Sequence, residues 1–414
     1  MSVLELKIRH TAWESRLMRT AKGGLKRNIH NAMLVLRNHE IVKDSLRFNE
    51  MNMCIELSRK LGFPRLNDIG SEWTDCSNNS MAALIQSLGY DIPANIIRDA
   101  IHSVALDRSY HPVKEYVEST EWDEVPRLDN WLTEYLGVKK SLFSSSVGAM
   151  WMISAIARIY DPGCKADCML VLEGMQGKGK SKTVTALAKN WFTDQISDFS
   201  NKDASQELQG TWIVEMAEMD TFTKSAASSS KAFVSRRIDR FRPPFERYVR
   251  SFPRQCVFIG TVNKDDYLKD ETGGRRYWCV QCSKADDKAV GAIKEQLWAE
   301  ALARYRDGEK WWIDINEEPE LAEEARLSAL QSTEEDSLLG DIAAFVKDKD
   351  QIDVSSIYTH LVKIDVITGS KDQRIARKIS NVITGLREWT KRRNKHSVFW
   401  ERSEIQHLPI EIDF

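Results

Sequence analysis

The chain has 414 residues and carries 59 basic against 61 acidic side chains, for a formal net charge of −2. So even a balance excludes a field that would draw a polyanion over the whole surface, and any phosphate or nucleic-acid site must be local. A hydrophobic fraction of 42% and a charged fraction of 29% are those of an ordinary globular protein with several domains, and seven scattered cysteines suggest free thiols in a reducing compartment, the cytoplasm.

In chain order, "MSVLELKIRHTAWESRLMRT" has charges at Glu5, Lys7 and Arg9 and no apolar core, unlike a secretory signal. No apolar run approaches the roughly 18 residues a transmembrane helix needs, so no membrane partner is expected. Residues 1–140 read as a helical N-terminal region. "NSMAALIQSLGY" and "PANIIRDAIHSVALD" carry the helical period, with Asn79 or Ser80 as cap of the first and Pro93 in the first turn of the second. "SLFSSSVGAMWMISAIARIY" predicts a long helix stopped by Asp161-Pro162-Gly163.

Next come three short, almost wholly apolar runs, "CMLVLEG", "TWIVEMAE" and "QCVFIGTVN", separated by helical or basic segments. Strands buried on both faces and alternating with helices predict an α/β domain over 141–330 with a mainly parallel sheet. Cys279-Val-Gln-Cys282 has no second cysteine pair or histidine to complete a zinc site and reads as strand; Cys164 and Cys168 are read as structural in the same way. Beyond 330, short helices lead to the basic hairpin "TKRRNKHSVFW", the pattern of a winged-helix-like domain over 331–414. There Arg374, Arg377 and Lys378 form either a DNA-contacting face or a solvated one.

Residues 174–181, "GMQGKGKS", satisfy G-x-x-x-x-G-K-[ST] between an apolar strand and a helical segment. Gly174, Gly177 and Gly179 let backbone N–H groups turn inward around a β-phosphate, and Lys180, Ser181 and Lys182 open the helix. Lys180 is suited to bridge β- and γ-phosphates and Ser181 to ligate Mg²⁺, so ATP and Mg²⁺ are the expected cofactors. An acid is then needed on another buried strand. "TWIVEMAEMD" offers Glu215, Glu218 and Asp220. Glu218, nearer the expected strand end, is taken as the main metal and water acid, with Glu215 either supporting it or engaged in a structural salt bridge. Asn263 ends the third run, where a neutral amide can hold the attacking water.

Between the second and third runs lies "SRRIDRFRPPFERYVRSFPRQ", with seven arginines, four aromatics and only Asp239 and Glu246 as acids. Arginines neutralise phosphates and aromatics offer stacking surfaces without reading sequence. Lys231, Arg236, Arg237, Arg240, Arg242 and Arg247 are the candidate DNA contacts, a partnerless charged loop being the plain alternative.

The phosphate loop, acidic strand, arginine-aromatic connection and Asn strand, with "EGMQGKGKS", "WIVEMAE", "KAFVSRRIDRFRPPFERYVRSFPRQCVFIGTVN" and "TGGRRYW", resemble the superfamily 3 branch of AAA+ helicases. The chain is more closely similar to the virulence-associated E family of phage and prophage helicases, over about residues 45–330. The resemblance implies a P-loop AAA+ core in a homo-oligomeric, hexameric ring. It also implies single-stranded or forked DNA tracked by a hairpin at 231–254, phage replication proteins as partners, and a trans-acting arginine finger at Arg275 or Arg276, the alternative for one of the two being a nucleotide sensor in cis. Many relatives carry a primase module in front, for which the first 140 residues show neither a zinc ribbon nor a two-metal acidic pair. The rival readings are an ATP-driven assembly switch that binds DNA or an origin protein without unwinding, and a small-molecule kinase on the same loop.

Overall fold

The computed structural model describes residues 12–71, 73–196, 204–217, 232–242, 248–263, 276–330 and 335–364, with parts of 375–402. Asn28 caps α1 (Ile29–Asn38) by accepting the Asn31 amide. Helices α2 (Asp75–Ser87) and α3 (Ala94–Leu106) share its apolar cluster with a small sheet of β1 (Leu46–Asn49), β2 (Cys54–Leu57) and β3 (Ser109–Tyr110). The region expected to be helical is therefore mixed: "LRFN" and "CIEL" are too short to display a strand period. Thr74, not Asn79 or Ser80, caps α2 through a capping box with Ser77, and the two expected caps lie inside the helix.

The packing changes near residue 110. Val113 in α4 (Pro112–Glu118) and Trp131 in α5 (Trp131–Leu136) belong to a second core, built around α6 (Leu142–Tyr160). A Ser141–Ser144 capping box starts α6, and the expected stop at Asp161 ends it. By length and composition alone α6 could cross a membrane, contrary to the sequence expectation, but 83% of its apolar window is buried inside the protein. Apolar residues all round mark it as a core helix.

Against α6 lies a five-stranded sheet in the order β10-β4-β9-β6-β5, every pair parallel. Its strands are β4 (Met169–Glu173), β5 (Phe192–Thr193), β6 (Ile213–Met216), β9 (Val257–Val262) and β10 (Tyr277–Gln281). The three apolar runs thus form neighbouring strands β4, β9 and β6. Helix α7 (Lys180–Ala188) follows β4, α8 (Ala204–Glu207) precedes β6, and β7 (Ile238–Phe241) and β8 (Arg250–Pro253) form a separate antiparallel ribbon. Helices α9 (Asp287–Arg306) and α10 (Pro319–Leu330) complete this body. Buried tryptophans lock the layers together. Trp151 donates to the Phe258 carbonyl at 2.8 Å, Trp212 to Ala155 at 2.9 Å and Trp298 to Leu187 at 3.1 Å.

A third cluster joins α11 (Glu335–Val346), α12 (Val354–Lys363) and an antiparallel sheet of β11 (Gln351–Ile352), β13 (Val398–Arg402) and β12 (Trp389–Arg393). Lys391, Arg392 and Arg393 are exposed on its hairpin; Arg374, Arg377 and Lys378 lie outside the described residues.

Candidate functional site

All five residues of β4 are buried, so the strand delivers the glycine loop to the carboxyl edge of the sheet, where open α/β sheets bind ligands. Gly174 has φ +143°, and a Cβ there would sit 2.5 Å from the Cys282 carbonyl oxygen. Gly179 turns into α7 with φ +92°, and Gly177 has φ +80° in open space. Lys180 follows, nearly buried, with its Nζ donating to the carbonyls of Gly174 at 2.5 Å and Met175 at 3.1 Å. The same Nζ reaches Asn263 Oδ1 at 3.5 Å. Burial pushes the ammonium below its ordinary pKa, against the opposing pull of Cys282 and Glu215. Ser181 and Lys182 lie beside it on the exposed start of α7.

Glu215, on β6, is 1% exposed. Its Oε1 accepts from Ser181 Oγ at 2.5 Å and from Thr261 Oγ1 at 2.6 Å. Its Oε2 is equally buried and has no hydrogen-bond partner among the described residues. The salt bridge considered for Glu215 is absent among the described residues; hydroxyls hold it instead. Glu218, expected to be the main acid, lies outside the described residues, as does Asp220. At the same edge Gln281 donates to the buried Glu173 carboxylate.

The arginine stretch forms the β7–β8 ribbon, and Gln255 and Cys256 join it to β9. Register places Asp239 opposite Phe252 and Arg240 opposite Ser251, so the ribbon has two unlike faces. Arg240 and Arg242 are exposed with Ile238 on one face. Asp239, Phe241 and Phe252 lie on the other, the two rings stacked at 4.4 Å above a cavity of about 130 Å³ walled by Met51, Met53 and Leu208. Asp239 does not offset the surface charge. It bridges Arg254 through two bonds of 2.7 and 2.9 Å, with both side chains buried. Buried Arg158 of α6 in turn donates to the carbonyls of Arg254, Ala166 and Arg236. Arg236 and Arg237 are exposed, though Arg237 Nε also donates to the Gly163 carbonyl at 2.6 Å. Lys231 and Arg247 lie outside the described residues.

Residues 117–331 match the family model of the virulence-associated protein E-like domain, just over half of the chain. The chain belongs to this family. The matched segment begins in α4, close to where the packing changes, so residues 45–116 of the sequence resemblance fall outside it. No curated protein matches. Among solved structures, the chain is similar to an A form apo structure of the NrS-1 C terminal region at 14% identity and a TM-score of 0.43, covering 91% of this chain and 100% of that one. A second apo structure of that region gives 13% identity and a TM-score of 0.41, with coverage of 86% and 95%.

Within this virulence-associated protein E-like domain, Arg276 stands apart from the cluster around Lys180. It precedes β10 at the amino end of the sheet and faces Asp167 at 3.8 Å. Parallel pairing of Tyr277 with Met169 and Gln281 with Glu173 puts it about 20 Å along the strands from its own glycine loop, at about 3.3 Å per residue. Arg275 lies outside the described residues. Cys279 is in β10 and Cys282 just past it, both buried, with the Cys282 thiol pushed up by burial to about 12. Sequence reasoning missed Thr261. A β-branched residue in "VFIGTV" reads as strand filler, and only its being the run's single hydroxyl marks it out.

Proposed function

We propose that this chain is an ATP-dependent DNA helicase or translocase of phage or mobile-element replication, with a P-loop AAA+ core. The observation that carries the reading is the convergence of Lys180, Ser181, Glu215 and Asn263 at the carboxyl edge of three adjacent strands. The residues fit a magnesium nucleotide. Glycines keep the loop open at positive φ, and the orphaned Glu215 Oε2 is a buried acceptor awaiting a donor or cation.

Bound Mg²⁺-ATP would supply the phosphoryl group and a cation to offset its charge. The loop amides and the α7 N-terminus bind the phosphates. Lys180 would exchange the loop carbonyls for phosphate oxygens, and Ser181 would offer its hydroxyl oxygen to the metal. Glu215 orients water through Oε2 in support of Glu218, the expected main acid for metal and water, and Asn263 holds that water or the γ-phosphate. The exposed face of Arg236, Arg237, Arg240 and Arg242, with Lys231 and Arg247 of the same stretch, binds strand phosphates. Tyr248, 77% exposed, offers a ring for stacking. A hexameric cytoplasmic ring, with Arg275 or Arg276 reaching a neighbour's nucleotide and replication proteins as partners, completes the reading. The C-terminal helices and basic hairpin are its winged-helix-like module.

The test is the ATPase rate with and without single-stranded DNA. The expected result is several-fold stimulation in the wild type, lost in Arg240→Ala/Arg242→Ala, and no turnover in Lys180→Ala. Turnover indifferent to DNA in the wild type would replace this reading with the assembly switch, and strand separation on a forked duplex divides helicase from switch.

A further inference from the structure

We infer that Thr261 is a positioning residue for the Glu215 carboxylate: its hydroxyl fixes which oxygen is left to face the bound nucleotide. The inference rests on the nucleotide-site reading above. Glu215 pairs with Ile259 across the β6–β9 ladder, so Thr261 sits two residues further along β9 toward the carboxyl edge. From there its Oγ1 donates to Oε1 at 2.6 Å. Ser181 donates to that same oxygen from α7. One donor leaves a carboxylate free to swing about its last torsion. Two donors from different elements, meeting at one oxygen, fix the plane and leave Oε2 as the carboxylate's open acceptor among the described residues. Thr261 is itself buried in an otherwise apolar strand, where an unpaired hydroxyl is unfavourable and a valine would pack as well. Thr261 and Asn263, two apart, also share a face, so β9 aims one side chain at Glu215 and the next at Lys180.

The experiment compares Thr261→Val, which keeps shape and loses the hydroxyl, with Thr261→Ser, which does the reverse. Two readouts are taken on the full chain: steady-state ATPase, and binding of a fluorescent non-hydrolysable ATP analogue titrated with Mg²⁺. Thr261→Val should lower kcat by roughly tenfold or more with KM for ATP within about twofold, in keeping with loss of a transition-state interaction. It should also raise the Mg²⁺ midpoint of analogue binding several-fold, with metal-free binding unchanged. Thr261→Ser should stay close to wild type in both. A purely structural role predicts the opposite order, with Ser the worse variant, and would overturn the inference. So would a Thr261→Val protein with wild-type kcat and Mg²⁺ midpoint. A wild-type chain that binds no nucleotide would instead overturn the nucleotide-site reading, and this inference with it.

Discussion

His111 shows how one side chain couples the small N-terminal module to the sheet. Its Nδ1 accepts the Lys114 amide at 3.3 Å, capping α4, and its Nε2 donates to Gln255 Oε1 at 2.8 Å, beside the ribbon. The Nδ1 bond requires the neutral ring, whereas the Nε2 bond survives protonation. Burial holds its pKa below the ordinary value, partly offset by the Gln255 bond. The unfolded chain, titrating near 6.5, therefore takes up the proton first as pH falls. The contribution is fully present above about 6.5 and is lost as pH drops toward and through the folded pKa. The urea midpoint should fall between pH 7.5 and 5.5, with a shallower fall in His111→Asn, which keeps a capping oxygen; an equal slope in both proteins would refute the assignment. At this scale the glycine turn into α7, with Lys180 and Ser181 at its start, was legible because spacing alone marks such a loop. Thr261 was not, since the carboxylate it holds lies 46 residues away in sequence. Nor were the two hydroxyls that hold Glu215, because Ser181 and Thr261 come from separate elements; Glu218, expected to be the main acid, lies outside the described residues.

Among elements, the β7–β8 ribbon depends on an ion pair hidden from water. Arg254 is 3% and Asp239 5% exposed, and removing one partner strands the other charge. Asp239→Ala should lower unfolding free energy by roughly 3–5 kcal/mol, whereas Asp239→Leu with Arg254→Met should be much closer to neutral. Chemical denaturation of the three proteins reads this directly, and a neutral single variant would mean the pair is solvated. The sequence makes the arginine count obvious but hides which arginine is internal, because Arg254 and its neighbours share one composition. The five parallel strands were foreseeable from apolar runs between helices, as was α6 from its serine start and Asp-Pro-Gly stop. β1 and β2, four residues each, carry no such pattern.

For the whole molecule, the position of Arg276 at the amino end of β10 separates it from its own glycine loop. In a ring, hydrolysis would then need two copies, and two inactive variants should complement. Lys180→Ala and Arg275→Ala/Arg276→Ala, each inactive alone, should recover about a quarter of wild-type turnover when mixed equally, since one interface in four pairs an intact lysine with an intact arginine across a head-to-tail contact. No recovery, with mixed assembly verified by sedimentation, would assign the arginines a role within one copy. Ring formation itself was read from family resemblance, as a near-neutral composition says nothing of closure.

Strand β9 also limits how this chain can change length. Thr261 and Asn263 point inward together only because they stand an even step of two residues apart, and Arg254 anchors the chain just before the same strand. Deleting one residue between Val257 and Val262 would reverse the parity of everything beyond the cut. Thr261 and Asn263 would turn outward together, or the Arg254 anchor would be dragged a step along the sheet. Length variation among related chains should therefore fall outside this strand, and two single-residue changes of opposite sign within it should restore function where either alone destroys it.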